Sequence, residues 1–253
     1  MNLGKLGSTC VAVFVGGCLL VSTAAAAPEV GTAVAVRNKV TVQASDRNQP
    51  LRKGEVLHQD EVLATGKASS VEIELLDKTK LAVGADSSIV LDKLVFDASA
   101  PTRTVTLNMS KGAFRFITGL SPKESYEIKT PTATMGVRGT VFDVFVSAEG
   151  ETAILLHEGA VDVCATPASC QRHDKVGHLV HVSLARILTA PLRWDGTLFQ
   201  GLAFAGAFPF VGKRLVIDPV RRVGSTALFA GRKVGRVLTA PGRVIRRTLR
   251  SPL

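Results

Sequence analysis

The chain has 253 residues, 31 Lys+Arg against 21 Asp+Glu, and a net charge of +10. That length admits one domain with its own core and an extension. The excess charge is unevenly placed: residues 27–183 hold 17 Lys+Arg and 19 Asp+Glu, net −2, whereas residues 184–253 hold 13 Lys+Arg and 2 Asp, net +11. A basic segment of this kind attracts nucleic acid or anionic surfaces. In an exported chain nucleic acid is excluded as the partner, and lipid head groups, lipopolysaccharide or an acidic protein remain.

Export is the reading of the N-terminus. Lys5, an apolar run over 10–21 and the alanines 24–27 before Pro28 form a secretory signal, cut after Ala26 or one residue earlier. An uncleaved anchor and a lipoprotein modified at Cys18 are the other readings of the same residues. The expected location is the periplasm or the exterior, with the basic end attached to a membrane. After cleavage only Cys164 and Cys170 remain, in an oxidising compartment.

Residues 30–183 alternate with period two, the signature of strands. Val34 and Val36 precede, and Val40 and Val42 follow, an expected tight turn at Arg37, Asn38 and Lys39. Runs at 71–75, 81–83, 89–91, 105–109, 126–128 and 153–156 continue the pattern. Arg115 sits between Phe114 and Phe116, and Asp143 between Phe142 and Val144, so each charged residue points away from the face its neighbours bury. Turn signals stand at Lys53-Gly54, Thr65-Gly66, Leu76-Asp77, Lys111-Gly112 and Glu149-Gly150, and His157-Glu158-Gly159 reads as another turn. No helical period of useful length occurs. The expected class is all-β, and periodicity leaves sandwich, barrel and solenoid open.

One stretch is more specific. Thr130 and Pro131 open a run through Gly136, Val137, Arg138, Gly139 and Thr140 into Phe142 and Val144. Lys111-Gly-Ala-Phe-Arg-Phe precedes it and Ile154-Leu-Leu-His-Glu-Gly follows. Glycines inside a strand pattern mark bulges or close backbone approaches. Arg138 is expected to hold a carboxylate or loop carbonyls within the fold, with Asp143 and Asp77 as candidate carboxylates, or else to touch a ligand or partner. This series, with Leu51-Arg-Lys-Gly-Glu-Val-Leu, Asp60-Glu-Val-Leu-Ala-Thr-Gly and Leu75-Leu-Asp-Lys-Thr-Lys-Leu, resembles the FecR family. That family is known for periplasmic relay of an outer-membrane signal to a sigma-factor regulator. The resemblance implies a compact β-domain with a partly solenoidal course and a non-catalytic role. Members of the classical type place a cytoplasmic region and a membrane helix before this domain, where here a signal peptide is expected. The resemblance therefore implies an exported binding, scaffold or signalling module rather than direct sigma-factor control.

Cys164 and Cys170 bracket a loop containing Pro167 and are expected to form a disulfide. His173, His178 and His181 raise a metal reading, but their spacing suits no structural zinc site, so no metal or cofactor is assigned. No nucleophile elbow, zincin motif or phosphate loop occurs, and no catalytic residue is assigned.

The final segment, 184–253, is expected to be a separate tail, weakly helical or disordered, leaving a folded domain in a chain ended near Ser183. Trp194, Phe199, Phe204, Phe208 and Phe210, followed by Lys213 and Arg214, fit a segment lying in a membrane interface, or a strap packed on the β-domain. Its arginines recur on all sides and suit anionic surfaces. The alternative to a signalling module is a structural surface protein held to membrane or lipopolysaccharide by this tail. Oligomeric state is not readable from the sequence.

Overall fold

The computed structural model describes residues 27–44, 47–95, 104–122 and 125–218, without the side chains of residues 47, 94, 95 and 138. The expected signal peptide and residues 219–253 lie outside them.

Fourteen strands are joined in one sheet: β1 Glu29–Arg37, β2 Val40–Ala44, β3 Arg47–Pro50, β4 Val56–His58, β5 Val62–Thr65, β6 Ser70–Leu75, β7 Lys80–Val83, β8 Ser88–Val95, β9 Thr104–Ile117, β10 Tyr126–Lys129, β11 Thr134–Val146, β12 Thr152–Thr166, β13 Ser169–His173 and β14 Leu179–Val182. A single helical turn, α1 Phe204–Ala207, follows. The class is all-β, as the alternation predicts.

The sheet folds into two layers because three long strands bend and serve both. The first half of β9 pairs with β8 on one side and with β10, in parallel, on the other; its second half pairs with β7 and β11. The first half of β11 and the second half of β12 pair with each other beside β10 and β13, while the other halves run beside β9 and β14. One layer is thus β3-β2-β5-β8-β9-β10-β11-β12-β13, and the other is β4-β1-β6-β7-β9-β11-β12-β14. The chain crosses between them repeatedly, which is the partly solenoidal course. Val42, Leu63, Ile89, Leu107 and Met109 of the first layer meet Val71, Ile73, Leu81, Phe114, Phe116, Phe142 and Ile154 of the second in one core. Each such side chain contributes about 1.5–3 kcal/mol on burial.

The bends explain two departures from the sequence reading. Lys111-Gly112 and His157-Glu158-Gly159 are not turns between strands; both lie inside continuous strands, β9 and β12. Their glycines have positive φ, +103° at Gly112 and +78° at Gly159, and the ladder slips register beside them. A glycine with positive φ bends a strand as sharply as it ends one, so the local signal is the same. Arg37-Asn38-Lys39 is a tight turn, with Asn38 at φ 56°. It joins strands of different layers, β1 pairing with β4 and β6, and β2 with β3 and β5.

The break expected at Ser183 is not where packing ends. Residues 184–218 form a strap over the outer face of the second layer. Phe199, Phe204 and Phe208 pack with Ala153, Leu155 and Leu179, and Phe210, Leu215 and Ile217 with Ala82 and Ala113. The Ile217 N–H donates to Glu72 Oε2 of β6 at 2.9 Å and ties the strap's end. Among the described residues the only helix in this region is α1, with its four residues.

Candidate functional site

The signature residues form the corner at which β11 passes from one layer to the other. The register with β12 slips between Arg138 and Val141, and Gly139 has φ +64°. Gly159 lies against this corner. A Cβ there would strike the Gly139 carbonyl oxygen and approach Thr140 Cγ2 to 2.8 Å, so both the space and the φ call for glycine. Thr140 is buried and its N–H donates to Thr118 Oγ1 at 2.8 Å. Val137 is buried in the core, and Gly136 is half-buried opposite Asp162. The side chain of Arg138 lies outside the described residues. Both carboxylates expected to receive it are engaged elsewhere.

Asp143 pairs with Arg115. Nε donates to Oδ1 at 2.6 Å and one terminal nitrogen to Oδ2 at 2.8 Å. His157 Nε2 lies 3.0 Å from Asp143 Oδ2 and 3.0 Å from the Arg115 guanidinium. All three side chains are buried and come from β9, β11 and β12. Burial alone would raise the Asp143 carboxyl, but the charges of His157 and Arg115 beside it hold it below the usual carboxylate value. Sequence alternation places Arg115 and Asp143 away from the core. It misses His157, because the following glycine reads as a turn. Asp77 receives the Thr79 N–H and hydroxyl at 2.9 Å each and the Tyr126 hydroxyl at 2.7 Å. Burial, first, raises the Tyr126 phenol above its ordinary value. These clusters hold strands together through the bonds just described.

Cys164 and Cys170 are disulfide-bonded across β12 and β13. His173 Nε2 lies 3.0 Å from the His178 carbonyl, and His181 stands 3.7 Å from Glu151 and edge-on to Phe199. The three histidines are thus held in different contacts, and among the described residues no His, Cys, Asp or Glu group of three or more could hold a metal ion.

The aromatic residues expected at a membrane interface are turned inward instead. Phe199, Phe204, Phe208 and Phe210 are buried, and Trp194 is half-buried, stacked on Phe199 at 6.1 Å and edge-on to Phe204 and Phe208. The outer face of the second layer carries apolar patches at Ala153, Leu155 and Leu179 and at Ala82 and Ala113, so it takes up side chains that a lone tail would offer to lipid. Lys213 and Arg214 remain exposed. They border a cavity of about 650 Å³ between strap and sheet, with Arg37, Ser69, Ser70, Glu72, Phe210 and Leu215 among its lining residues. No sequence pattern joins Arg37 and Glu72 to Lys213, because strap and strands are far apart in the chain. Among the described residues no helix is long and apolar enough to cross a membrane.

The model of the family described as FecR protein matches residues 61–162. The match takes in β5–β11, the signature corner and the part of β12 up to Asp162, and leaves out β1–β4 and the strap. No curated protein matches the chain. Two crystal structures of a candidate anti-sigma factor from Parabacteroides distasonis ATCC 8503 are similar to it. One has 18% identity and a TM-score of 0.41, covering 51% of this chain and 57% of that one. The other has 18% identity and a TM-score of 0.40 with the same coverage. This chain therefore spans little more than half the length of those structures. Residues 61–162 of this protein, with the signature corner among them, thus match the FecR family.

Proposed function

We propose that the protein is an exported module of the cell envelope that acts by binding a protein partner, as a relay or scaffold, and catalyses no reaction. The FecR domain at 61–162 carries this reading. Its geometry is in keeping with it: the buried ionisable groups Arg115, Asp143, His157 and Asp77 are bonded to one another or to neighbours that lock the strands. A catalytic acid or base instead needs reach to a substrate. Export supplies the compartment in which the Cys164–Cys170 bond persists. Cross-linking of the full chain in intact envelopes, followed by mass analysis, tests the proposal. A defined protein recovered in fixed ratio at high salt is the expected result. The same preparation should show an N-terminus at or just before residue 27, and a cytoplasmic, uncleaved protein would overturn export.

The second reading is a structural surface protein held to membrane or lipopolysaccharide by its basic end. The net charge of +11 over 184–253 favours it. Recovery of anionic lipid or lipopolysaccharide alone, lost as salt rises, would decide for it.

A further inference from the structure

The cavity between strap and sheet has a property that neither reading uses. Its rim carries three cations from distant parts of the chain, Arg37 at the end of β1 and Lys213 and Arg214 of the strap. All three are exposed. The cavity's carboxylate, Glu72, accepts the Ile217 N–H at 2.9 Å, which fixes one of its oxygens toward the strap backbone. One wall is apolar, built from Pro209, Phe210 and Leu215, and the lining on the sheet side includes the hydroxyl-bearing Ser69 and Ser70. About 650 Å³ is within the size range of small-molecule sites, which join an apolar wall to a few placed polar groups.

The cations are also held in position. Lys213 and Arg214 lie between two anchors, Phe210 on one side and Leu215 and Ile217 on the other, all three buried against Ala82 and Ala113. The Lys213 N–H donates to the Phe210 carbonyl at 3.1 Å, closing a turn. Arg37 ends a strand paired to β6 at Ser70. A ligand therefore meets backbone already fixed, and only side-chain rotamers must order. β6 lies between β1 and β7 and has no free edge here, and recognition at the cavity rests on side-chain charge.

We infer that this cavity is an anion site, formed by Arg37, Lys213 and Arg214, that takes a phosphoryl group on a small amphiphile or a free phosphate ester. Guanidinium groups bind phosphate oxygens with charge-assisted, often paired hydrogen bonds. The apolar wall receives the body of the ligand. The site belongs to the folded strap and is independent of the arginines beyond residue 218 and of the protein partner proposed above.

Calorimetric titration of the full mature chain tests it. The probes are inorganic pyrophosphate, monomeric dihexanoyl phosphatidic acid and the net-neutral dihexanoyl phosphatidylcholine. Pyrophosphate and the acid should bind, the acid more tightly, and the neutral lipid should not. Tighter binding of pyrophosphate than of the acid would assign the site to a free phosphate ester. Arg37→Gln with Arg214→Gln should weaken binding at least about tenfold, as loss of charge-assisted hydrogen bonds does, without moving Tm, because both side chains are exposed. Arg246→Gln with Arg247→Gln should leave it unchanged. No binding of either anion, or loss only in the second variant, would overturn the site.

Discussion

Arg115 and Asp143 are register partners on neighbouring strands, and their side chains close a two-point ion pair with almost no exposed surface. Removing one partner leaves the other charge buried and unmatched. Asp143→Ala should therefore destabilise the domain by about 3–5 kcal/mol. Arg115→Met with Asp143→Ala should cost markedly less, since neither member of the ion pair is left buried without the other. Urea unfolding of both variants measures the difference, and equal losses would refute the pairing argument.

The signature corner makes an ordered prediction about two glycines. Gly139 has open space where a Cβ would stand and is constrained only by its φ, whereas Gly159 has both a positive φ and the Gly139 carbonyl in the way. Gly139→Ala should cost about 1 kcal/mol. Gly159→Ala should cost more, about 2–3 kcal/mol, within the range of strained backbone sites. The order of the two unfolding midpoints is the test.

Stability should fall as pH drops through the histidine range. Burial is the main cause that lowers His173 and His181 below their ordinary value of 6.5, with Glu151 opposing it at His181. A group with a lowered native pKa lends its stability above the unfolded value and loses it as pH falls through the native one. Tm should thus be flat above about pH 7.5 and decline toward about pH 5.5. His173→Asn with His181→Asn should flatten that decline, and an unchanged slope would show that other groups set it.

The Cys164–Cys170 bond should shield both thiols from alkylation until reduction. Cys164→Ser with Cys170→Ser should lower stability by about 2–3 kcal/mol, the scale for closing a short loop. Mass analysis with and without reductant checks the first claim and denaturant titration the second. Two freely alkylated thiols would end it.

Removing the strap should not leave an intact domain. A chain ended at Ser183 exposes Ala82, Ala113, Ala153 and Leu155, which the strap now covers. It should self-associate or melt earlier than a chain ended at Asp218. Sedimentation velocity on the two lengths distinguishes the outcomes. A monomeric, equally stable short form would restore the separate tail.

What was legible in the sequence follows from the range of its signals. Alternation around Phe114, Phe116, Phe142 and Val144 reports which face each residue takes, because side-chain direction in a strand is local. The signature from Gly136 to Thr140 reports a bend for the same reason. Where the strands continue is not local: Gly112 and Gly159 look like turn residues and lie in mid-strand. The sequence left membrane segment and strap both open because Phe204 and Phe208 announce only that they need an apolar surface. The surface, at Leu155 and Leu179, is built by strands elsewhere in the chain. That Arg37 stands beside Lys213 and Arg214 at one cavity was not legible on the same ground.

The sharing of β9, β11 and β12 between both layers bears on how the domain comes apart. A sandwich of two independent sheets can lose one sheet and keep part of the other. Here a break in any of these strands removes ladder bonds from both layers at once. Amide exchange in β9, β11 and β12 should proceed only through global opening, with one shared free energy on either side of each bend. A partner that grips one layer would thereby stiffen the other.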